Sequence, residues 1–305
     1  MKKVLFIFLV FCCYLSSEVF SLDLELTGGL GNIAFNQQRT SPLGNPDNPG
    51  IFAPHLFPLV LARLSGEYKN LAYNAGFERD PLLKNRLFAN LRVDLDYFFI
   101  EAGPVIGFFN SSKLPLNPGI SAALGLEVPG IVFVRAGGAS TLGINMDITD
   151  NYSENTGDIS AGFWVPHVIC SLNMNVRNFT AREQANLLIE NELTRYFFSA
   201  NVYTKNIPYT IRVNMGYEQL SRSYVSQKVN GGGNIVNDTQ TDEFKAVFLG
   251  LEATYTFSPA LKFLLGGETP VYSWSVRPMK DPGKGTVFFE AHIGVIWKIA
   301  NSNGQ

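Results

Sequence analysis

The chain has 305 residues, 46% of them apolar and 13% aromatic, yet only 16% are charged, where a soluble domain carries about a quarter. A net charge of −2 gives no basic footprint for nucleic acid, and beyond the N-terminus no apolar run approaches the roughly 20 residues of a spanning helix. Those two exclusions leave a large soluble β-sandwich or a barrel that faces lipid.

The N-terminus accounts for the one long apolar stretch. Lys2 and Lys3 precede Val4 to Leu15, and the run ends in Ser16-Ser17-Glu18-Val19-Phe20-Ser21. A basic head, a short apolar middle and small residues at its end describe a secretory leader over 1–21, cleaved after Ser21, and a single domain over 22–305. Cys12 and Cys13 lie inside the apolar segment and follow no small residue, which argues against a lipid-attached cysteine. Cys170 is then the one cysteine of the mature chain, so no internal disulfide is expected. It sits in the apolar run Val168 to Leu172 as a small buried or lipid-facing residue.

From Ser21 onward the dominant signal has period two. Leu22, Leu24 and Leu26 alternate with Asp23, Glu25 and Thr27, which predicts a strand with one apolar and one polar face. Gly28-Gly29-Leu30-Gly31 does not open a helix after a strand, and the apolar phase shifts past it, so a bulge is expected there. Residues 37–58 are rich in proline and glycine and read as a long connection. In Arg86 to Phe99, Leu87, Leu91, Val93 and Leu95 point one way while Arg86, Arg92, Asp94 and Asp96 point the other. Residues 143–160 and 223–242 are polar and read as further long loops, whereas Val128-Pro129-Gly130, Asn206-Ile207-Pro208 and Ser258-Pro259-Ala260 read as short turns. Ala181 to Glu192 has helical composition and is expected to be a short helix in a loop or plug. Alternation resumes at Tyr209 to Glu218, with Arg212 and Glu218 on the polar side, and at Val247 to Phe257, with Glu252 opposite the apolar face.

These runs reach or exceed the about 9–11 residues that a tilted barrel strand needs, longer than the usual soluble strand. Aromatic residues gather near their ends, at Tyr97-Phe98-Phe99, Phe108-Phe109, Tyr196-Phe197-Phe198, Tyr255, Phe257 and Trp297, as girdles at the headgroup level would. The expected fold is all-β: a transmembrane antiparallel up-and-down barrel of about 12 strands, within a range of 10–14. The runs most open to being split or merged in that count are Leu59–Arg79 and Ile159–Arg177, where Pro166 switches the apolar phase.

The chain nearly ends in His292-Ile293-Gly294-Val295-Ile296-Trp297-Lys298-Ile299. Polar, any, Gly, any, any, aromatic or apolar, any, apolar is the pattern of the last strand of bacterial outer-membrane β-barrel proteins. His292, Gly294, Trp297 and Ile299 fill its defined positions, so the chain resembles that family and the strand resembles its barrel-assembly signal. The six-residue tail from Ala300 to Gln305 departs from it, since most members stop at the final aromatic or apolar residue. The general style is similar to outer-membrane proteins of spirochaetes, with no defining motif to quote. The resemblance implies a place in the cell outer membrane, with lipid, the assembly machinery and small solutes as partners.

Some barrels of this kind are enzymes, and the residues here do not suit them. Only His55, His167 and His292 exist, and the residues two beyond them are Phe57, Ile169 and Gly294, not the serine of a barrel phospholipase. Asp94-Leu95-Asp96 with Glu290-Ala291-His292 is a loose echo of an omptin-type protease, but a lumen-lining charge pair is the reading preferred. Three scattered histidines and one cysteine give no metal spacing, and no cofactor is expected.

What remains is a polar inner face. Arg86, Arg92, Asp94, Asp96, Arg212, Glu218, Glu252 and Glu290, with Lys298, mix both signs and are expected to line the lumen, because Arg or Lys facing lipid at the midplane costs about 2–4 kcal/mol. The leading expectation is a non-enzymatic channel or small-solute transporter. The alternative is a non-conducting structural or surface-binding barrel that acts through its loops. A fatty-acid type of transporter would bring an N-terminal hatch, for which no counterpart is seen.

Overall fold

Apolar and polar side chains at period two select extended backbone, and in lipid each strand must find hydrogen-bonding neighbours on both sides. A computed structural model describes residues 21–33, 52–79, 85–108, 116–142, 151–184, 187–204, 207–229, 235–276 and 289–300. In them the strands are β1 (Ser21–Ile33), β2 (Phe52–Tyr68), β3 (Leu71–Arg79), β4 (Asn85–Leu95), β5 (Phe98–Phe108), β6 (Leu116–Val128) and β7 (Val132–Thr141). There follow β8 (Asn151–Val165), β9 (Val168–Gln184), β10 (Leu187–Tyr203), β11 (Tyr209–Val229), β12 (Ile235–Ser258), β13 (Leu261–Val276) and β14 (Glu290–Ala300). Each pairs antiparallel with its neighbours in sequence, and β1 closes on β14, from Leu22 opposite Ala300 to Gly31 opposite Glu290. Closure removes the sheet edge that lipid could not satisfy.

Among the described residues there are fourteen strands, where about twelve were expected, at the top of the 10–14 range. Leu59–Arg79 holds most of β2 and all of β3, joined at Lys69-Asn70, and Ile159–Arg177 holds the end of β8 and most of β9, joined at Pro166-His167. These turns need only two residues, and Lys69 and His167 reverse the chain with φ of 54° and 69°, so no glycine marks them in the sequence. With both hairpins counted, successive connections fall at alternate ends of the barrel. Short turns after β2, β4, β6, β8, β10 and β12 lie at the end that also holds the start of β1 and the end of β14.

Three further expectations change. Within the predicted helix over 181–192, residues 181–184 and 187–192 are instead the facing ends of β9 and β10, where the ladders to β8 and β11 outweigh helical propensity. The predicted loops over 37–58, 143–160 and 223–242 overlap strands: β2 starts at Phe52, β8 at Asn151, and β11 and β12 run to Val229 and from Ile235. The register shift of β1 against β2 falls between Gly31 and Ile33, at the end of the glycine run. The expected leader lies outside the described residues, except Ser21, which pairs with Glu67.

The outer surface is apolar. Leu124, Leu172, Leu251, Leu265 and Ile293 are more than half exposed although they sit within strands, which only a lipid-facing wall explains. Cys170 shares that face, two residues from Leu172 and opposite Phe163. At the short-turn end Phe98, Phe257 and Trp297 are exposed, Tyr209 stacks on Tyr255 at 4.9 Å, and Phe257 meets Phe263 at 6.0 Å. Toward the other end Tyr217, Tyr272 and Trp274 cluster, with centroids 5.5 and 6.0 Å apart. Two aromatic girdles thus bound an apolar band, and the fold is a transmembrane barrel of the outer-membrane type. Phe99 and Phe197 are exceptions among the described girdle residues: Phe99 points inward and is buried beneath the Arg92 guanidinium, and Phe197 shares the inner face with Arg195 and meets Phe248.

Candidate functional site

The polar phase of each strand faces the lumen, and the register places opposite charges side by side. Glu25 of β1 lies directly across from Arg63 of β2, Glu78 of β3 from Arg86 of β4, Arg195 of β10 from Glu218 of β11, and Arg212 of β11 from Glu252 of β12. Each of these pairs is bridged, Arg86 to Glu78 at 2.5 Å, Arg195 to Glu218 at 3.4 Å and Arg212 to Glu252 at 3.4 Å. Arg135 of β7 reaches Asp158 of β8 on the diagonal, as Arg177 of β9 reaches Glu154 of β8, the latter at 2.5 Å. A ladder of arginine–carboxylate pairs therefore coats the inner wall.

Two cavities run between these pairs. The larger, of about 700 Å³, is bordered by Glu25, Arg86, Asp158, Arg177, Glu252 and Glu290 among others. The second, of about 430 Å³, lies against the inner faces of β2 to β8 and is bordered by Arg63, Asn90, Glu101 and Arg135. Glu78, Arg86, Thr156 and Asp158 border both, so the two spaces adjoin. In the second, Glu101 accepts hydrogen bonds from Asn90 at 3.0 Å and Asn74 at 3.4 Å.

Several contacts reach past an adjacent strand, as from Asn74 of β3 to Glu101 of β5 and from Ser121 of β6 to Asn90 of β4, and two lie in the β10–β14 sector. His292 of β14 passes over β13 and lies 3.5 Å from Glu252 of β12; Gly266 is the floor beneath it, where a Cβ would collide with the imidazole. Arg195 of β10 pairs with Glu268 of β13 as well as with Glu218, and its guanidinium lies 4.2 Å from the centroid of the Phe248 ring of β12.

Seven of the eight predicted lumen residues lie on the inner face. Arg86, Glu252 and Glu290 border the main cavity, Glu218 and Arg212 belong to the pairs above, and Arg92 bonds Asp94 at 2.6 Å near the short-turn end. Asp96 does not: it is exposed in the β4–β5 turn with φ of 54°, because the strand ends at Leu95 and the alternation read past it. The two halves of the protease echo are kept apart. Asp94 and Asp96 lie at the short-turn end of β4, while Glu290 begins β14 at the opposite end. Of the terminal motif, His292 and Gly294 face inward, and Trp297 and Ile299 are exposed on the lipid side. Arg63, Arg135, Arg177 and Arg195 were not among the predicted lumen residues, nor were Glu154, Asp158 and Glu268, whereas Glu218, a partner of Arg195, was. The parity of each strand would have found them, had every strand been phased.

No protein-family model matches the chain, and no curated protein does. Solved structures do resemble it. A loop L8 deletion mutant of OmpT, an outer membrane protein of Vibrio cholerae, is 10% identical with a TM-score of 0.42, over 92% of this chain and 99% of that one. A bacterial polysaccharide outer membrane secretin is 11% identical with a TM-score of 0.44, over 92% and 98%. An outer membrane channel from Pseudomonas putida F1 is 8% identical with a TM-score of 0.42, over 92% and 95%. At TM-scores under 0.5 these likenesses assign the chain to no family.

Proposed function

We propose that the protein is a non-enzymatic channel of the cell outer membrane that passes small polar solutes through its charge-lined lumen. The observation that carries this reading is the pair of adjoining cavities, about 700 and 430 Å³, lined by both signs of charge. Arginines held by carboxylates present fixed donors and acceptors to a passing solute while leaving little net charge to trap it. Asp94 lies at the opposite end of the barrel from Glu290 and His292, which supports the non-enzymatic reading over a protease of the omptin kind. His292, Gly294, Trp297 and Ile299 serve in this reading as the assembly signal: Gly294 leaves room for Thr27 of β1, Gly29 of β1 leaves room for His292, and the outward pair offers the assembly machinery a lipid-ready face.

The test is reconstitution. The folded barrel is expected to give ion current in planar bilayers and to swell liposomes in small sugars. Absence of both would sink the channel reading and favour the non-conducting, surface-binding alternative, whose support is the length of β11 and β12 beyond the apolar band.

A further inference from the structure

The lumen is unequal around its circumference. In the sector of β10 to β13 the inner wall carries Leu220, Phe244, Ala246 and Phe248, each at most 2% exposed, although inner-wall residues of a water-filled barrel should be wet. The space that Arg195, Glu218, Leu220, Glu268, Pro270 and Phe289 share is only about 50 Å³. Arg195 borders both that small space and the main cavity, so it stands at the boundary between the filled sector and the open one.

Its contacts hold it there. Arg195 pairs with Glu218 on the next strand, lies over Phe248 two strands on and pairs with Glu268 three strands on. Gly250 of β12 is the floor over which the Glu268 carboxylate extends, and a Cβ there would lie 3.4 Å from its Oε2. One guanidinium thus ties four strands together across the curve of the wall. Its planar fork and flat face suit two carboxylates and a ring at once, which an ammonium would not do.

We infer that Arg195, clamped by Glu218 and Glu268 over Phe248, is the latch that keeps the β10–β13 sector closed and so sets the width of solute the lumen admits. This rests on the channel reading. Without the guanidinium, two carboxylates on the same wall repel each other and the Phe248 face meets water, so the sector opens toward the main cavity.

Single-channel conductance and the sugar size limit in liposomes test this, with folding of each variant checked by heat-modifiable mobility and circular dichroism. R195A and E268A should raise conductance roughly twofold or more and admit larger sugars, because pore width governs both. R195K should lie between them and wild type, and the swap R195E/E268R should return toward wild type. A second readout does not depend on current: in a C170A background, the S199C thiol, on the same strand toward the short turns, should react faster with a bulky maleimide applied from outside when R195A is added. Wild-type current with unchanged conductance, size limit and labelling in R195A overturns the latch and leaves the channel reading standing. Silence of wild type and variants alike overturns the channel reading, and labelling unchanged by R195A then overturns the latch as well. A silent wild type with faster labelling in R195A supports the latch alone.

Discussion

Strands β3 to β7 run for 9 to 13 residues, whereas β9 to β13 run for 16 to 24. The short wall alternates in one sense throughout: Ile100, Ile120 and Leu124 outward, Glu101, Ser121 and Arg135 inward. The tall wall starts the same way, with Tyr209, Ile211 and Met215 exposed outward and Arg212 inward. Farther from the short turns the sense inverts. On β12 Phe244, Ala246 and Phe248 are buried inside, while Glu243 and Lys245 pair with each other on the outer face at 3.1 Å. The outward apolar stretch from Tyr209 to Tyr217 spans roughly 20 Å at a tilt of about 40°. Alternation thus records which solvent lies on each side. Lipid lies outside the lower part of both walls, and water outside the upper part of the tall one.

The inversion can be broken most severely at its buried side. Phe248→Ala should cost about 3–5 kcal/mol in equilibrium unfolding from detergent or liposomes, as a buried ring is lost from a filled sector. Little or no loss would mean that the sector is not packed. The outer face gives the next largest contrast. Leu124→Arg, on the lipid face of the short wall, should cost about 2–4 kcal/mol, whereas Thr239→Arg, exposed above the band on β12, should stay within about 0.5 kcal/mol. Equal penalties would erase the proposed membrane boundary.

Strand β8 separates the two walls and offers a smaller test on one element. Glu154, at its loop end, is 3% exposed and bound to Arg177, while Asp158, four residues on, is 35% exposed and bound to Arg135. Glu154→Gln should cost about 1–3 kcal/mol, because it takes the charge from a carboxylate that is buried against Arg177. Asp158→Asn, bathed by the cavity, should cost less than about 1 kcal/mol, as solvent-exposed pairs do. The same unfolding series reads both, and a reversed order would place water and packing on the wrong sides of β8.

The inside and outside of each strand were legible in the sequence wherever the phase was clear. Leu22, Leu24 and Leu26 against Glu25, and Arg212 facing Glu252, follow from period two and a lipid exterior. The helix expected at 181–192 failed because composition measures local preference, while the backbone there has two neighbouring ladders to join. Asp96 failed by one residue past a strand end. The pairing of Arg195 with Glu268, unlike the inward phase of each, was beyond reach for a different reason. They are 73 residues apart, and their meeting depends on the curvature of a closed sheet, which no local pattern encodes.

The smallest expected effect concerns the turns, which serve both walls. Asp96 in the β4–β5 turn and His167 in the β8–β9 turn both have positive φ, at 54° and 69°. Glycine relieves roughly 1 kcal/mol of left-handed strain but costs about 0.5–1 kcal/mol of entropy from the unfolded chain. For exposed Asp96 the balance should favour Asp96→Gly by a few tenths of a kcal/mol. His167 differs: its ring meets Tyr203 edge-on at 6.5 Å, and its carbonyl accepts the Tyr203 N–H at 2.9 Å. His167→Gly keeps the backbone bond and loses the ring contact, worth about 0.5 kcal/mol, so it should be neutral or slightly destabilising. Urea midpoints measured side by side decide this. A gain at His167 equal to that at Asp96 would show that the Tyr203 contact adds nothing, and that the tall wall owes its stability to its strands and not to the turn that leads into it.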